Sequence, residues 1–128
     1  SKLFVGICRW ITAMKRARDF KEIKICVAPT DMRKQSYGLA SLVESAIGEN
    51  PSTGSLYIFC NRSRTIIKAL YFDRAGFCVW SKKLDQNRFP WIKSVLKTRE
   101  ISAADLELLF DGVDVFKRHA KLEFDSVS

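Results

Sequence analysis

Histidine is almost absent from the 128 residues, since His119 is the only one. The four cysteines stand singly at positions 8, 26, 60 and 78, and no two of them form a C-x-x-C pair. Structural zinc sites use clustered Cys and His ligands at short spacings. The sequence therefore predicts no metal site, and the cysteines that lie in apolar runs are expected to act as small core residues.

The motifs of several enzyme classes are also missing. No glycine-rich phosphate loop occurs, and the single histidine lies in a polar tail without a Ser or Cys nucleophile beside it. Four carboxylates, those of Asp31, Asp73, Glu100 and Asp105, could in principle pair around a metal ion. Asp31, Asp73 and Asp105 have simpler roles as helix caps or turn residues. The prediction is a protein with no enzyme activity, no catalytic residue and no cofactor.

Long apolar runs are absent as well. No stretch reaches the ~20 residues that a transmembrane helix needs, so no membrane partner is expected. The opening LFVGICRWITAM is interrupted by Arg9 and lacks a cleavage signal after it, which does not fit a secretory peptide. Together with unpaired cysteines, this favours the reducing cytoplasm as the location.

Positive charge is abundant: 22 Lys and Arg against 14 Asp and Glu give a net charge of +8 and a pI near 9.5. Between residues 55 and 99 only Asp73 and Asp85 are acidic. The basic residues of that stretch are Arg62, Arg64, Lys68, Arg74, Lys82, Lys83, Arg88, Lys93, Lys97 and Arg99. Such a segment indicates a polyanionic partner, most often nucleic acid, or an acidic protein surface. A solvated basic face is the alternative.

Hydrophobic patterning predicts an α+β fold. Residues 23–27 alternate as a short strand, and a helix capped by Thr30 or Asp31 should follow and end at Gly48. Strands over residues 55–60, 65–72 and 77–84 form an antiparallel meander, and Ser102 opens a second helix. The first helix should cover one face of the sheet, and the other face needs a second helix or a partner.

The chain is expected to contain one domain with two flanking segments. Residues 23–116 form the α+β domain, with two main helices packed on the meander and the short strand. Residues 1–22 form an N-terminal extension that can be an amphipathic helix, because Leu3, Ile7 and Met14 share a helical face with Trp10 and Ile11. Residues 117–128 form a polar tail. Trp91 to Glu100 is interpreted as a basic, irregular connection.

Several of these features occur together, in order, in one family. They are DMRK at 31–34, Pro51-x-x-Gly54 before LYIF, IIKALYFD-x-x-GF, KKL-x-x-x-RF-x-W, and IS-x-x-D-L-x-x-L-x-x-G from residue 101. The series resembles the TnpB-type accessory proteins of the insertion-sequence sixty-six group, a family distinct from the RNA-guided nucleases also called TnpB. The sequence departs from the pattern at Gln35, Ser36, Tyr37 and Asn87.

The resemblance implies a protein of a mobile element that assists DNA recombination in transposition, beside a separate DDE transposase. Two molecular roles fit. The first is binding or positioning DNA, with phosphate contacts from Arg33, Lys34, Arg62, Arg64, Lys68, Lys82, Lys83 and Arg88 and with stacking by Trp91, or by Tyr71, Trp80 or Phe89. The second is an adaptor that binds the transposase or another accessory protein through the N-terminal helix or an uncovered sheet face.

Arg33 and Lys34 stand out within this set. If the helix starts at Thr30 or Asp31, both cations lie in its first turn, where the helix dipole disfavours positive charge by a few tenths of a kcal/mol. The choice of two basic residues at such a place indicates either a function or a tolerated surface pair.

Overall fold

A mixed five-stranded sheet lies at the centre of the protein. The computed structural model describes residues 20–117. The strands are β1 (Ile23–Cys26), β2 (Leu56–Cys60), β3 (Ile66–Asp73), β4 (Gly76–Lys83) and β5 (Thr98–Glu100), in the spatial order β4-β3-β2-β1-β5. β2, β3 and β4 form the predicted antiparallel meander, and β1 pairs in parallel with β2. The α+β class is confirmed.

One main helix connects two of these strands, and a second follows the last strand and covers the sheet. A parallel pair needs a crossover connection, and α1 (Ser36–Leu42) supplies it between β1 and β2. α1 continues into a π-helical turn, Val43–Ile47, which ends at Gly48 with φ of 81°. α2 (Ala103–Phe110) is capped by the preceding Ser102, whose side chain accepts a 3.1 Å hydrogen bond from the Asp105 N–H, as the capping pattern predicts.

Both faces of the sheet are buried. On one face, strand residues such as Ile25, Ile58 and Ile67 pack with the α2 residues Leu106 and Leu109. The face that was expected to need a second helix or a partner is therefore covered by α2. No helix within residues 20–117 is long and apolar enough to cross a membrane.

The opposite face packs against α1 and the π-helical turn. Tyr57, Phe59 and Leu70 form a second buried cluster with Leu39 and Val43. Successive side chains along β2 and β3 therefore lie on opposite faces of the sheet.

An ion-pair network fixes the end of the helical crossover to β1 and β2. Lys24 Nζ lies 2.6 Å from Glu49 Oε1 and 3.1 Å from Glu22 Oε2, while the Tyr57 hydroxyl donates to Glu49 Oε1 over 2.9 Å. Burial opposes ionisation of Glu49, but the hydrogen bonds from Lys24 and Tyr57 outweigh it and lower the Glu49 pKa. Burial, with the bond to Glu49, raises the pKa of Tyr57 to about 12. The network therefore favours the ionised carboxylate.

Two predictions about local structure are wrong. The first helix starts at Ser36 after Gln35, because the Asp31 carboxylate accepts hydrogen bonds from Arg33, two residues away, and Thr30 donates to the Ala28 carbonyl. The connection from Trp91 to Glu100 ends in a strand, because Thr98–Glu100 pairs antiparallel with β1. β5 is therefore an edge strand of the sheet that the sequence did not predict.

Cys26 and Cys60 are buried free thiols, and Cys78 is partly buried and free, in agreement with their expected core role. The proposed N-terminal helix, with Trp10 and Ile11, lies outside the described residues, as does most of the polar tail. The domain limits at residues 23 and 116 stay predictions.

Candidate functional site

Strand directions bring several basic segments to one end of the sheet. β1, β2 and β4 finish there, and β3 and β5 begin there. The segments at this end are residues 27–35, 61–65 and 83–97, the last of which starts with the final residue of β4. They contain two acidic residues, Asp31 and Asp85. We call their eight cations the basic end: Arg33, Lys34, Arg62, Arg64, Lys83, Arg88, Lys93 and Lys97.

The β2–β3 turn is held rigidly by Asn61. Its Oδ1 accepts hydrogen bonds from the Thr65 and Ile66 N–H groups at 2.9 and 3.0 Å, and its Nδ2 donates to the Ser63 and Thr65 hydroxyl oxygens. Arg64 adopts a left-handed conformation with φ of 63°, which is unfavourable for a residue with a side chain. The turn therefore presents two arginines from a fixed and strained backbone, with Arg62 exposed.

A second turn lies beside the first and carries Arg33. The Asp31 carboxylate accepts bonds from the Arg33 N–H and from Nε and Nη2 of its guanidinium at 2.7–3.1 Å. The hydrogen bond from Arg33 lowers the pKa of Asp31 to about 2. The Arg33 side chain is 91% exposed, so Asp31 orients the guanidinium without covering it. Since α1 starts later, the unfavourable helix-dipole argument for Arg33 and Lys34 does not apply.

Lys68 and Lys82 are not on this surface. Lys68 is buried and its Nζ donates to the Met32 and Lys34 carbonyls at 2.8 and 2.9 Å. Lys82 is buried on the opposite face and donates to the Phe110 carbonyl at 2.8 Å. Their predicted role as phosphate ligands therefore has no support in their placement. Lys68 instead holds the backbone that carries Arg33.

The aromatic candidates differ in the same way. Tyr71, Trp80 and Phe89 are core residues, so they are unsuited to stacking on a ligand. Trp91 is half-buried: its Nε1 donates to the Val27 carbonyl at 3.3 Å, and its ring packs edge-on against Phe116. Trp91 is thus held in place at the basic end, with part of its side chain exposed.

Lys93 and Lys97 belong to the site but were not chosen as site residues from the sequence. Both lie on the β4–β5 segment (residues 84–97), which starts at one edge of the sheet and ends at the other. The Lys97 carbonyl accepts a hydrogen bond from the Val27 N–H at 3.0 Å, which ties the segment to the end of β1. Recognising β5 would have revealed their position.

Three cavities open at the basic end. One of about 650 Å³ lies between the two turns and is lined by residues including Asp31, Arg33 and Arg62. The second, of about 380 Å³, is lined by Trp91 and by Arg62, Arg64 and Lys93 among others, and we call it the Trp91 pocket.

The third cavity is an apolar groove of about 300 Å³. It runs between the π-helical turn and the β4–β5 segment, with Leu42, Ile47, Val95 and Leu96 among its lining residues. Val95 is fully exposed and Leu96 is 64% exposed. Residues 20–117 contain no cluster of His, Cys, Asp and Glu that could hold a metal ion.

Comparison with known proteins identifies relatives of this chain. It is 36% identical over 90 residues to the uncharacterized protein y4hO of Sinorhizobium fredii (strain NBRC 101917 / NGR234), which covers 70% of this chain and 78% of that protein. The uncharacterized protein y4jC of the same strain is 26% identical over 92 residues, covering 72% and 79%. No solved structure matches.

A family model supplies the assignment. The model described as IS66 Orf2 like protein matches residues 21–120, which include every strand and helix described above. This family corresponds to the insertion-sequence group that the ordered motifs resemble. It links the chain to an accessory role in transposition, and it is not a known enzyme family. The chain belongs to the IS66 Orf2-like family.

Proposed function

We propose that this protein assists transposition by binding nucleic acid, DNA in the first instance, through the basic end. One observation carries the proposal: the fold gathers eight cations from three separate segments at one end of the sheet, where the same segments carry only two acidic residues. Phosphate contacts from such a surface provide affinity and register on a strand without reading its sequence.

The rigidity of the two turns supports this function. The Asn61 hydrogen bonds and the Asp31–Arg33 pair fix the backbone and, for Arg33, the guanidinium orientation before any ligand arrives. Preorganised cations lose less conformational entropy on binding than freely rotating ones. The role that follows is to position DNA for a separate transposase, in the cytoplasm, without chemistry of its own.

Fluorescence anisotropy with DNA of the element's ends tests the proposal. Arg62→Glu should weaken binding roughly tenfold at low salt and reduce the slope of log K against log salt by about 1 or more. Arg74→Glu is the matched control, because Arg74 is also exposed in a hairpin turn but lies at the opposite end of the sheet. Equal losses in both variants, or binding that is insensitive to salt, would contradict the proposal.

The apolar groove favours a second candidate function, that of an adaptor for the transposase or another accessory protein. The adjacent Val95 and Leu96 are exposed beside Lys93 and Lys97, which fits a partner segment with apolar and acidic side chains. Copurification of the nuclease-treated protein with the transposase tests this function. The double variant Val95→Ser with Leu96→Ser should abolish the association and leave DNA binding intact. Unchanged association would show that the apolar groove is not the binding site for the partner.

A further inference from the structure

The Trp91 pocket combines an apolar lining, three cations and a volume that suits a small ligand. Apolar side chains, including Val27, Pro29 and Ile92, line it together with the indole of Trp91. Arg62, Arg64 and Lys93 line the same cavity. The volume of about 380 Å³ lies at the lower end of the ~300–1,000 Å³ range of small-molecule sites. The pocket has room for one nucleotide unit but not for a stacked duplex.

Trp91 is held as a fixed platform. The hydrogen bond from its Nε1 to the Val27 carbonyl and the edge contact with Phe116, at 6.0 Å between ring centroids, set the position of the indole. An aromatic ring that is already ordered stacks on a base without losing rotamer freedom. Trp91 therefore offers the base-stacking component, and the surrounding cations offer phosphate contacts.

We propose that the Trp91 pocket receives an unpaired base, so that the preferred ligand of the basic end is single-stranded or locally opened DNA. This inference rests on the proposed function, since the flanking phosphates must lie on the basic end. In a closed duplex the bases stay stacked between the two strands and reach a protein pocket only after they are flipped out. A strand with accessible bases can occupy the pocket and contact the cations at once.

Anisotropy titrations with three fluorescent ligands of equal length test the inference: an oligothymidine strand, an abasic strand and a duplex. The abasic strand keeps the phosphates and removes the bases, so it isolates stacking from charge. Wild-type protein should bind oligothymidine about tenfold or more tighter than the abasic strand, as expected for stacking of a single base.

Two variants locate the effect in the pocket. Trp91→Leu should remove the preference for oligothymidine and retain binding of the abasic strand. Ala28→Leu places a branched side chain at an exposed position of the pocket lining, and it should have the same effect even if Trp91→Leu fails to fold. Tyr37→Leu is the control: Tyr37 is 79% exposed and packs on Phe77, at the other end of β4, so the preference should persist.

The outcomes separate this inference from the proposed function. Equal, salt-dependent binding of all three ligands would overturn the pocket assignment and leave the basic end as a DNA-binding surface. A preference for oligothymidine that survives in both pocket variants would also overturn it. Absence of binding to every ligand at low salt would overturn the proposed function as well.

Discussion

Replacing Arg64 with glycine should stabilise the protein and weaken the DNA binding that we propose for the basic end. Arg64 has φ of 63°, in the left-handed region, where a side chain costs roughly 1–2 kcal/mol. Glycine adopts this conformation freely but loses about 0.5–1 kcal/mol more through its unfolded-state entropy. The net gain in the free energy of unfolding is about 0.5–1 kcal/mol, or roughly 2–6 °C in Tm for a domain of this size.

Arg74→Gly provides a matched control. Arg74 also has a positive φ, 59°, and lies in the β3–β4 hairpin. The eight-residue strand β3 separates it from Arg64, which at the usual rise per residue corresponds to roughly 25 Å. Both variants lose one positive charge and relieve the same kind of backbone strain. Their gains in stability should therefore be similar, while only Arg64→Gly removes a cation from the basic end.

Thermal denaturation and salt-dependent anisotropy measure the two effects separately. Arg64→Gly should lower the slope of log K against log salt by about 0.7–0.9, the contribution of one phosphate contact, and Arg74→Gly should leave it unchanged. A fall in Tm for Arg64→Gly would refute the strain argument. An equal change of slope in the two variants would refute the assignment of the binding surface.

Three further predictions concern stability and reactivity. The folded state lowers the pKa of Glu49 from its ordinary value of 4.5, so the ionised carboxylate stabilises the fold. Glu49→Gln should therefore lower the free energy of unfolding, measured in urea, by about 1–2 kcal/mol at pH 7. The difference from wild type should vanish as the pH falls below the folded-state pKa. A constant deficit down to pH 2 would contradict this. Lys68→Met should lower the free energy of unfolding by about 1–3 kcal/mol because two loop carbonyls lose their donor, while Lys83→Met, at an exposed position, should change it by less than about 0.5 kcal/mol. Burial raises the pKa of Cys60 to about 12, so mass spectrometry should find Cys60 unmodified after iodoacetamide treatment at pH 7.5 in native protein and alkylated in urea. Rapid native alkylation would show that the thiol is accessible.

The sequence predicted the elements whose signals are local. β2, β3 and β4 were recognisable from alternating apolar residues separated by turn residues, and α2 from the capping pattern at Ser102. Thr98–Glu100 was missed because three polar residues have no strand pattern of their own and become a strand only by pairing with β1. The start of α1 was misplaced because Asp31 bonds Arg33 in a local turn, a common competitor of helix capping.

The sequence named six of the eight cations of the basic end, together with Trp91, and it also named Lys68 and Lys82, which are buried elsewhere. Arg62, Arg64, Lys83 and Arg88 were chosen from charge density, and Arg33 and Lys34 from their expected place in the first turn of the helix. Their common location follows from strand direction, which the sequence did not give for β5. Lys68 was misassigned although it shares an alternation with Leu70 on an apolar face. Lys68 was chosen for its charge, although the alternation of the strand places it on a buried face. In the structure its ammonium group donates hydrogen bonds to two backbone carbonyls.

Part of the basic end forms only when the β4–β5 segment folds onto the sheet. The segment spans the width of a five-stranded sheet, roughly 19 Å at the usual strand spacing, and only pairing of β5 with β1 fixes its second end. That pairing joins residues more than seventy positions apart, a long-range closure that carries a large entropic cost. The Phe89 N–H donates to the Arg64 carbonyl at 2.7 Å, so the first half of the segment is tied directly to the β2–β3 turn. Lys97 is placed by the pairing of β5 with β1, so local opening of β5 should release the Lys97 end of the segment while the meander persists.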